Sequence, residues 1–178
     1  MAFNAAKIRL GAPNSLLLTV AGVQIDLGGT DGGCELSYNP TNFEILIDQT
    51  LAPIAAYKTK EEMMFTCALA QYQINLVNIA FAYATTNVTT ATGTPNTDTA
   101  YFGSSVYVAT GTLDVTIPKN DNTSNNLLIH MNKVYSAKTV KFAFFRTKNT
   151  LIDKMEFSCL ADLTQASGQQ LGWLREQY

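Results

Sequence analysis

The most constraining feature of this 178-residue chain is an alternation of apolar and polar residues with a period of two, which recurs towards both ends of the sequence. Side chains on a β-strand point alternately to opposite faces, so the alternation predicts strands with one buried face. The alternating segments are 43–48, 113–117, 140–145 and 151–159. Turn-forming residues separate them, among them Ala21-Gly22, the glycine-rich Gly28–Gly33 and Asn39-Pro40. The pattern predicts a mainly antiparallel β fold.

One segment, residues 70–84, departs from this period and predicts the single α-helix of the fold. Its apolar residues form two helical stripes, which are Tyr72, Leu76, Ile79 and Tyr83 on one side and Ile74, Val77 and Phe81 on the other. The resulting apolar arc is wider than the face that a surface helix normally buries. We therefore expect a further surface to cover it, either a neighbouring subunit or the chain's own loops.

Three segments predict extended loops or arms on one domain that spans residues 1–178. Residues 48–60 form a connection with large apolar side chains, which we expect to be covered by protein. Residues 85–105 form a threonine-rich loop of low complexity. Residues 165–178 carry Leu171, Trp173 and Leu174 in a mainly polar setting, and this pattern predicts a C-terminal arm that docks.

Composition favours a surface that is polar but uncharged. Charged residues make up 15% of the chain, compared with roughly 25% in typical soluble domains. Partnered amides and hydroxyls are buried at less cost than charges, which suits a protein covered by copies of itself. The net charge of −2 lacks the basic excess of a protein that grips phosphates. The apolar run after Lys7 and Arg9 is too short for a signal peptide or a membrane span, so we predict a cytosolic product without a membrane partner.

The sequence offers no clear constellation for catalysis, a cofactor or a metal. We interpret the single histidine, His130, as a structural or surface residue instead of a general base. Leu27–Gly33 has glycines like those of a phosphate-binding loop. It lacks the Lys-Ser/Thr pair that follows the glycines in such loops, and a predicted strand comes after it instead of a helix. Cys34, Cys67 and Cys159 are odd in number and widely spaced, which predicts buried free thiols. We therefore expect a protein that is not an enzyme and uses no cofactor.

The order of features from Val23 to Ala84 points to a known family. These features are the glycine-rich turn at 28–33, the strand Cys34–Tyr38, an acidic-polar strand ending at Asp48-Gln49, a proline-bearing loop, a strand beginning near Glu61-Glu62 and the apolar helix. In this order the chain resembles bacteriophage tail tube proteins, a family that is similar to the tube protein of type VI secretion. The resemblance implies a β-sandwich or barrel flanked by the helix at 70–84. It also implies that six copies form a ring and that rings stack into a tube.

The resemblance further implies which segments join the rings. The loop at 48–60 would reach the adjacent ring, assisted by the terminal segments. The partners would be further copies of the chain and other tail proteins. Double-stranded DNA would pass through the channel without binding to its wall. Assembly would take place in the host cytoplasm and yield a virion tail. The implied inter-ring residues are Asp48, Gln49, Leu51, Pro53, Ile54, Tyr57 and Lys58, and those of the C-terminal arm are Leu171, Trp173 and Leu174.

Three other interpretations stay open on the sequence alone. A different virion component, such as a tail terminator, a head–tail connector or a capsid decoration protein, would differ in oligomer geometry. A lipocalin-like barrel would be a monomer with a large apolar cavity for a small ligand. A hydrolase would depend on His130.

Overall fold

The computed structural model describes residues 13–46, 52–70, 88–93, 95, 97–100, 108–118, 125–137 and 152–177. These residues form ten strands and, within the described ranges, no helix. Their pairings are antiparallel, which confirms the mainly antiparallel β fold. The strands are β1 (Ser15–Val20), β2 (Val23–Asp26), β3 (Thr30–Ile45), β4 (Ala55–Leu69), β5 (Val88–Ala91), β6 (Thr97–Ala100), β7 (Gly111–Pro118), β8 (Asn126–Ser136), β9 (Ile152–Cys159) and β10 (Gly172–Glu176).

Eight strands form one sheet in the order β2-β1-β7-β8-β9-β4-β3, and β10 pairs with β8 beside this path. β8 is the branch point of the sheet. One of its edges pairs with β7, whereas the other pairs with β10 over Leu127–Met131 and with β9 over Val134–Ser136. β5 and β6 form a separate hairpin. Among the described strands the path runs from β2 to β3 without closing into a barrel.

The hydrophobic core lies where alternate side chains of β1, β4, β7, β8 and β9 meet. Cross-strand pairing places Leu18 opposite Leu113 and Phe65 opposite Phe157, so that one face of the sheet is continuously apolar. The fully buried residues include Leu16, Phe65, Leu69, Leu113, Val115, Met131, Val134, Ile152, Met155 and Phe157. The alternation at 113–117 therefore predicted a core strand correctly. The alternation at 151–159 is confirmed for Met155, Phe157 and Cys159, whereas Ile152 and Glu156 are buried out of phase with it, and the pairing of β9 with β4 shifts register between Met155 and Ile152.

The predicted turn at Ala21-Gly22 is confirmed. Val20 pairs with Val23, and both turn residues have positive φ, at 51° for Ala21 and 80° for Gly22. Two consecutive positive φ values match the right-handed twist of the flanking strands, which is why such two-residue turns connect hairpins. β1 and β2 are therefore joined by a tight hairpin.

The structure corrects four predicted turns and loops. Asn39-Pro40 forms no turn, because it lies within β3, where Asn39 pairs with Glu62 and Pro40 with Glu61. The connection predicted at 48–60 is shorter, because β4 already begins at Ala55. The threonine-rich segment contains the β5–β6 hairpin, since β-branched threonines favour extended backbone. The glycine-rich turn is narrower than 28–33, because β3 begins at Thr30. Gly32 and Gly33, with positive φ, produce an irregularity in pairing between Thr30 and Cys34 instead of a turn.

Other predictions lie outside the described residues. The helix predicted at 70–84 falls there apart from Ala70, and so does the alternating segment at 140–145. The C-terminal segment at 165–178 is described up to residue 177, and it contains β10. The predicted C-terminal arm is therefore, in part, a strand of the chain's own sheet.

Candidate assembly surfaces

The β3–β4 hairpin is longer than β9, the strand that pairs with it, so the outer half of the hairpin extends beyond β9. β9 pairs with β4 only between Met64 and Leu69, so residues 55–62 of β4 have β3 as their one strand neighbour among the described residues. Residues 39–45 of β3 run opposite them, and Tyr38 pairs with the next residue, Met63. We call this two-stranded ribbon, residues 38–46 and 54–62, the arm. Its side chains are almost all exposed, in contrast to the buried alternation of Met63–Leu69.

Large apolar side chains are exposed along the arm. Phe43 and Tyr57 are direct cross-strand partners and are 61% and 59% exposed. Leu46 and Ile54 are exposed to a similar extent at the end of the ribbon, where the Ile54 amide donates to the Ile45 carbonyl at 2.9 Å. Direct partners in an antiparallel pair share a face, so Phe43 and Tyr57 form one apolar surface.

Four charged residues of the arm form two ion pairs. Lys58 bonds to Glu61 and donates to the Tyr38 hydroxyl at 3.1 Å, while this hydroxyl donates to Glu61 Oε1 at 2.8 Å. The hydrogen bond from Lys58, with that from Tyr38, lowers the pKa of Glu61, and the bond to Glu61 raises the pKa of Lys58. Lys60 pairs with Glu62. These groups are open to solvent, so they stabilise the fold little, and they leave the apolar side chains as the distinctive surface of the arm.

The predicted inter-ring residues divide into two groups. Asp48, Gln49 and Leu51 lie outside the described residues. Pro53 is exposed in the bend between β3 and β4, and Ile54, Tyr57 and Lys58 lie on the arm. The sequence reasoning missed Tyr38, Phe43 and Leu46, which the hairpin places on the same ribbon. The one sequence signal for them was the segment Asn39–Asn42, which carries no large apolar side chain that could face a core.

The C-terminal strand β10 is held against β8 by backbone and side-chain contacts. The Asn132 amide donates to the Leu171 carbonyl at 3.0 Å, and Asn132 Nδ2 donates to the Gln169 carbonyl at 2.7 Å. Gly172 passes so close to β8 that a Cβ there would lie 2.0 Å from the His130 carbonyl oxygen. Leu171 packs against the core, whereas Trp173 and Leu174 keep 38% and 59% of their surface exposed.

A polar row crosses β7, β8 and β10 at the position of the single histidine. Asp114, His130 and Trp173 are successive register partners. His130 Nδ1 lies 2.5 Å from Asp114 Oδ1, and its ring stacks on the Trp173 indole with a centroid distance of 5.2 Å and an interplanar angle of 17°. The Arg175 guanidinium lies 4.6 Å from the same indole. These contacts tie three strands together.

An open cleft of about 630 Å³ separates the base of the arm from the segment that follows β9. Its walls are residues 58–62 on one side and residues 158–161 with Gln170 and Leu171 on the other. Among the described residues, no group of three or more His, Cys, Asp or Glu side chains is arranged to hold a metal ion. No helix in the described part of the chain has the length and apolarity that crossing a membrane requires.

Comparison with known proteins does not assign the chain to a family. No protein-family model matches the chain, and no curated protein is significantly similar to it. Its function must therefore be inferred from the exposed surfaces described above, together with the order of sequence features.

Proposed function

We propose that this chain is a self-assembling structural protein, and specifically the tube subunit of a bacteriophage or phage-like tail. Six copies form a ring, and rings stack through the arm. In this proposal the complete fold is a sandwich or barrel flanked by the helix at 70–84. The partners are further copies of the chain and other tail proteins. The stacked rings, assembled in the host cytoplasm, form the channel through which double-stranded DNA leaves the virion.

The observation that supports this proposal is the apolar surface of the arm. A two-stranded hairpin without a covering layer is at best marginally stable in water. Clustered large apolar side chains on a protein surface commonly mark an interaction site. Phe43, Leu46, Ile54 and Tyr57 are each more than half exposed on such a hairpin. A neighbouring copy that covers them would both bury the apolar side chains and supply the missing layer.

The magnitude of this burial favours an assembly with more than one arm contact per copy. Full burial of a large apolar side chain contributes about 1.5 to 3 kcal/mol. Since the four side chains of the arm are already partly covered, completing their burial contributes roughly 4 to 7 kcal/mol in total. Association costs about 4 to 15 kcal/mol in lost translational and rotational freedom. A single arm contact therefore lies at the lower end of this cost, whereas in a ring or stack each copy both donates and accepts an arm, which doubles the contacts per copy.

Electron microscopy and sedimentation of the purified full chain test the proposal. We expect six-fold rings or stacked tubes at micromolar concentration. Rings that never stack would favour a tail terminator or head–tail connector over a tube subunit. A single monomeric species at all concentrations, with no particles in the images, would contradict self-assembly altogether.

A further inference from the structure

Two of the three cysteines, 33 positions apart in the sequence, are direct neighbours in the structure. Cys34 on β3 and Cys67 on β4 are register partners, and regular pairing continues through Glu35 and Thr66. Direct partners in an antiparallel pair point to the same face of the sheet. Cys67 belongs to the buried core, and Cys34 is half-buried against it. Both are free thiols in this structure.

The geometry of an antiparallel pair is compatible with a disulfide at this position. Opposed residues have Cα atoms about 4.5 or 5.5 Å apart, depending on whether the pair is hydrogen-bonded. Both distances fall within the roughly 4.4 to 6.8 Å that disulfides span. A bridge therefore needs little movement of the backbone.

Cys34, the half-buried member of the pair, is also reachable by a small molecule. Cys34 and Cys67 both line an open cleft of about 400 Å³, and Gly32 and Gly33 form part of its wall. An added Cβ at either glycine would have no neighbouring atom within 4 Å, so this wall is uncrowded. Cys159 does not line the cleft, and its Sγ donates to the Leu171 carbonyl at 3.0 Å. The third thiol is thus separate from the pair.

We propose that Cys34 and Cys67 are an oxidisable pair that a low-molecular-weight disulfide, such as glutathione disulfide, converts into a cross-strand disulfide. The Cys34 thiolate, the more exposed of the two, attacks one sulfur of glutathione disulfide and releases one glutathione thiolate. The Cys67 thiolate then attacks the Cys34 sulfur of this mixed disulfide and releases the second glutathione. The two protein thiols lose two protons and two electrons in total, and the glutathione disulfide is reduced to two glutathione molecules.

The position of the bridge gives it a structural consequence. The arm lies entirely within the loop that a Cys34–Cys67 bond would close, so the bond would fix the root of the arm covalently. A cross-link of this kind stabilises a fold chiefly by restricting the unfolded chain. The inference does not depend on the proposed function, because both thiols belong to one chain.

Burial makes the oxidation slow at neutral pH and steeply dependent on pH. Desolvation raises the pKa of Cys67 to about 12, with a further contribution from the negative charge that Cys34 carries when ionised. Burial also raises the pKa of Cys34. Only the thiolate attacks a disulfide, so the rate should rise roughly tenfold per pH unit between pH 7 and 9.

To test this proposal, the reduced full chain is treated with glutathione disulfide and the remaining thiols are alkylated. The protein is then digested and its peptides are identified by mass spectrometry. We expect one peptide pair linked through Cys34 and Cys67, an alkylated Cys159, and a melting temperature raised by on the order of 5 °C or more. Cys34→Ser should lose both the link and the rise, whereas the matched control Cys159→Ser should keep both. Two alkylated thiols at 34 and 67, a lasting glutathione adduct on Cys34, or links between chains would each overturn the proposal. The peptide analysis of the unmutated chain is decisive even if a variant fails to fold.

Discussion

The two halves of β4 show opposite burial along one continuous strand. From Met63 to Leu69 every second side chain is buried, whereas from Ala56 to Glu61 all side chains are exposed. Both halves pair with β3. The two halves differ in their second strand neighbour, because β9 pairs only with the half from Met64 to Leu69. A strand in this fold is therefore buried where a further strand and the core meet it, and pairing alone does not bury it.

Because of this difference, the exposed apolar residues of the arm need a different explanation from the buried ones in the rest of the sheet, which we call the body. In the body, Phe65 is fully buried opposite Phe157. On the arm, the equally paired Phe43 and Tyr57 remain open to solvent. If the arm is an assembly surface, substitutions in the body should destabilise the subunit and substitutions on the arm should leave it folded.

The largest effect is expected in the body. Phe65→Ala removes a fully buried ring between Leu36 and Phe157, and it should lower the free energy of unfolding by about 3 to 5 kcal/mol. The matched arm substitution Tyr57→Ala should change it by less than about 0.5 kcal/mol. Urea unfolding of both variants under monomeric conditions measures the contrast. Equal losses would mean that the arm is part of the subunit core.

A smaller effect is expected at the junction of β10 and β8. Gly172→Ala places a Cβ against the His130 carbonyl, so β10 must move away, at a cost of about 1 to 3 kcal/mol. Trp173 is the single tryptophan of the chain and stacks on His130, so its fluorescence reports this movement directly. Gly29→Ala is the control, because no atom lies within 4 Å of its Cβ position. An unchanged emission spectrum for Gly172→Ala would show that β10 is not held by this close approach.

The smallest effect concerns the exposed segment that connects β9 to β10. The Thr164 amide and hydroxyl donate to Asp162 Oδ1 at 3.0 and 2.8 Å and lower the pKa of this carboxyl below its ordinary 3.8. A lowered pKa stabilises the segment above the ordinary value, and this contribution is lost as the pH falls through the shifted one. The Thr164 amide should therefore lose protection, measured as its intrinsic exchange rate divided by its observed rate at the same pH, only below about pH 3.8. Asp162→Asn should abolish this transition, and a transition at or above the ordinary value would contradict the shift.

The sequence predicted the parts of the fold in which local chemistry and burial agree. Alternation identified β7 and β9, and Ala21-Gly22 identified the first hairpin, because a two-residue turn needs no distant contact. The threonine-rich segment was misjudged as a loop, since low complexity outweighed the β propensity of its threonines. Local pattern could not show that β8 branches, because this depends on pairings far apart in the chain.

The candidate surfaces were predicted only in part for the same reason. Ile54 and Tyr57 were identified because apolar residues in a loop are unusual. Phe43 was assigned to a half-buried strand, since alternation does not reveal whether a second layer covers the strand. The opposition of Cys34 and Cys67 depends on the register of a 16-residue and a 15-residue strand, which spacing alone does not determine.

The most direct test of the arm as an assembly surface is sedimentation of the double variant Phe43→Ser/Tyr57→Ser beside a matched control. The control, Val23→Ser/Val108→Ser, removes two apolar side chains that are about equally exposed on the body. We expect the unmutated chain and the control to sediment as large assemblies, and the arm variant to sediment as a monomer with an unchanged urea midpoint. Assemblies of unchanged size in the arm variant, or a urea midpoint lowered as far as that of Phe65→Ala, would contradict the account.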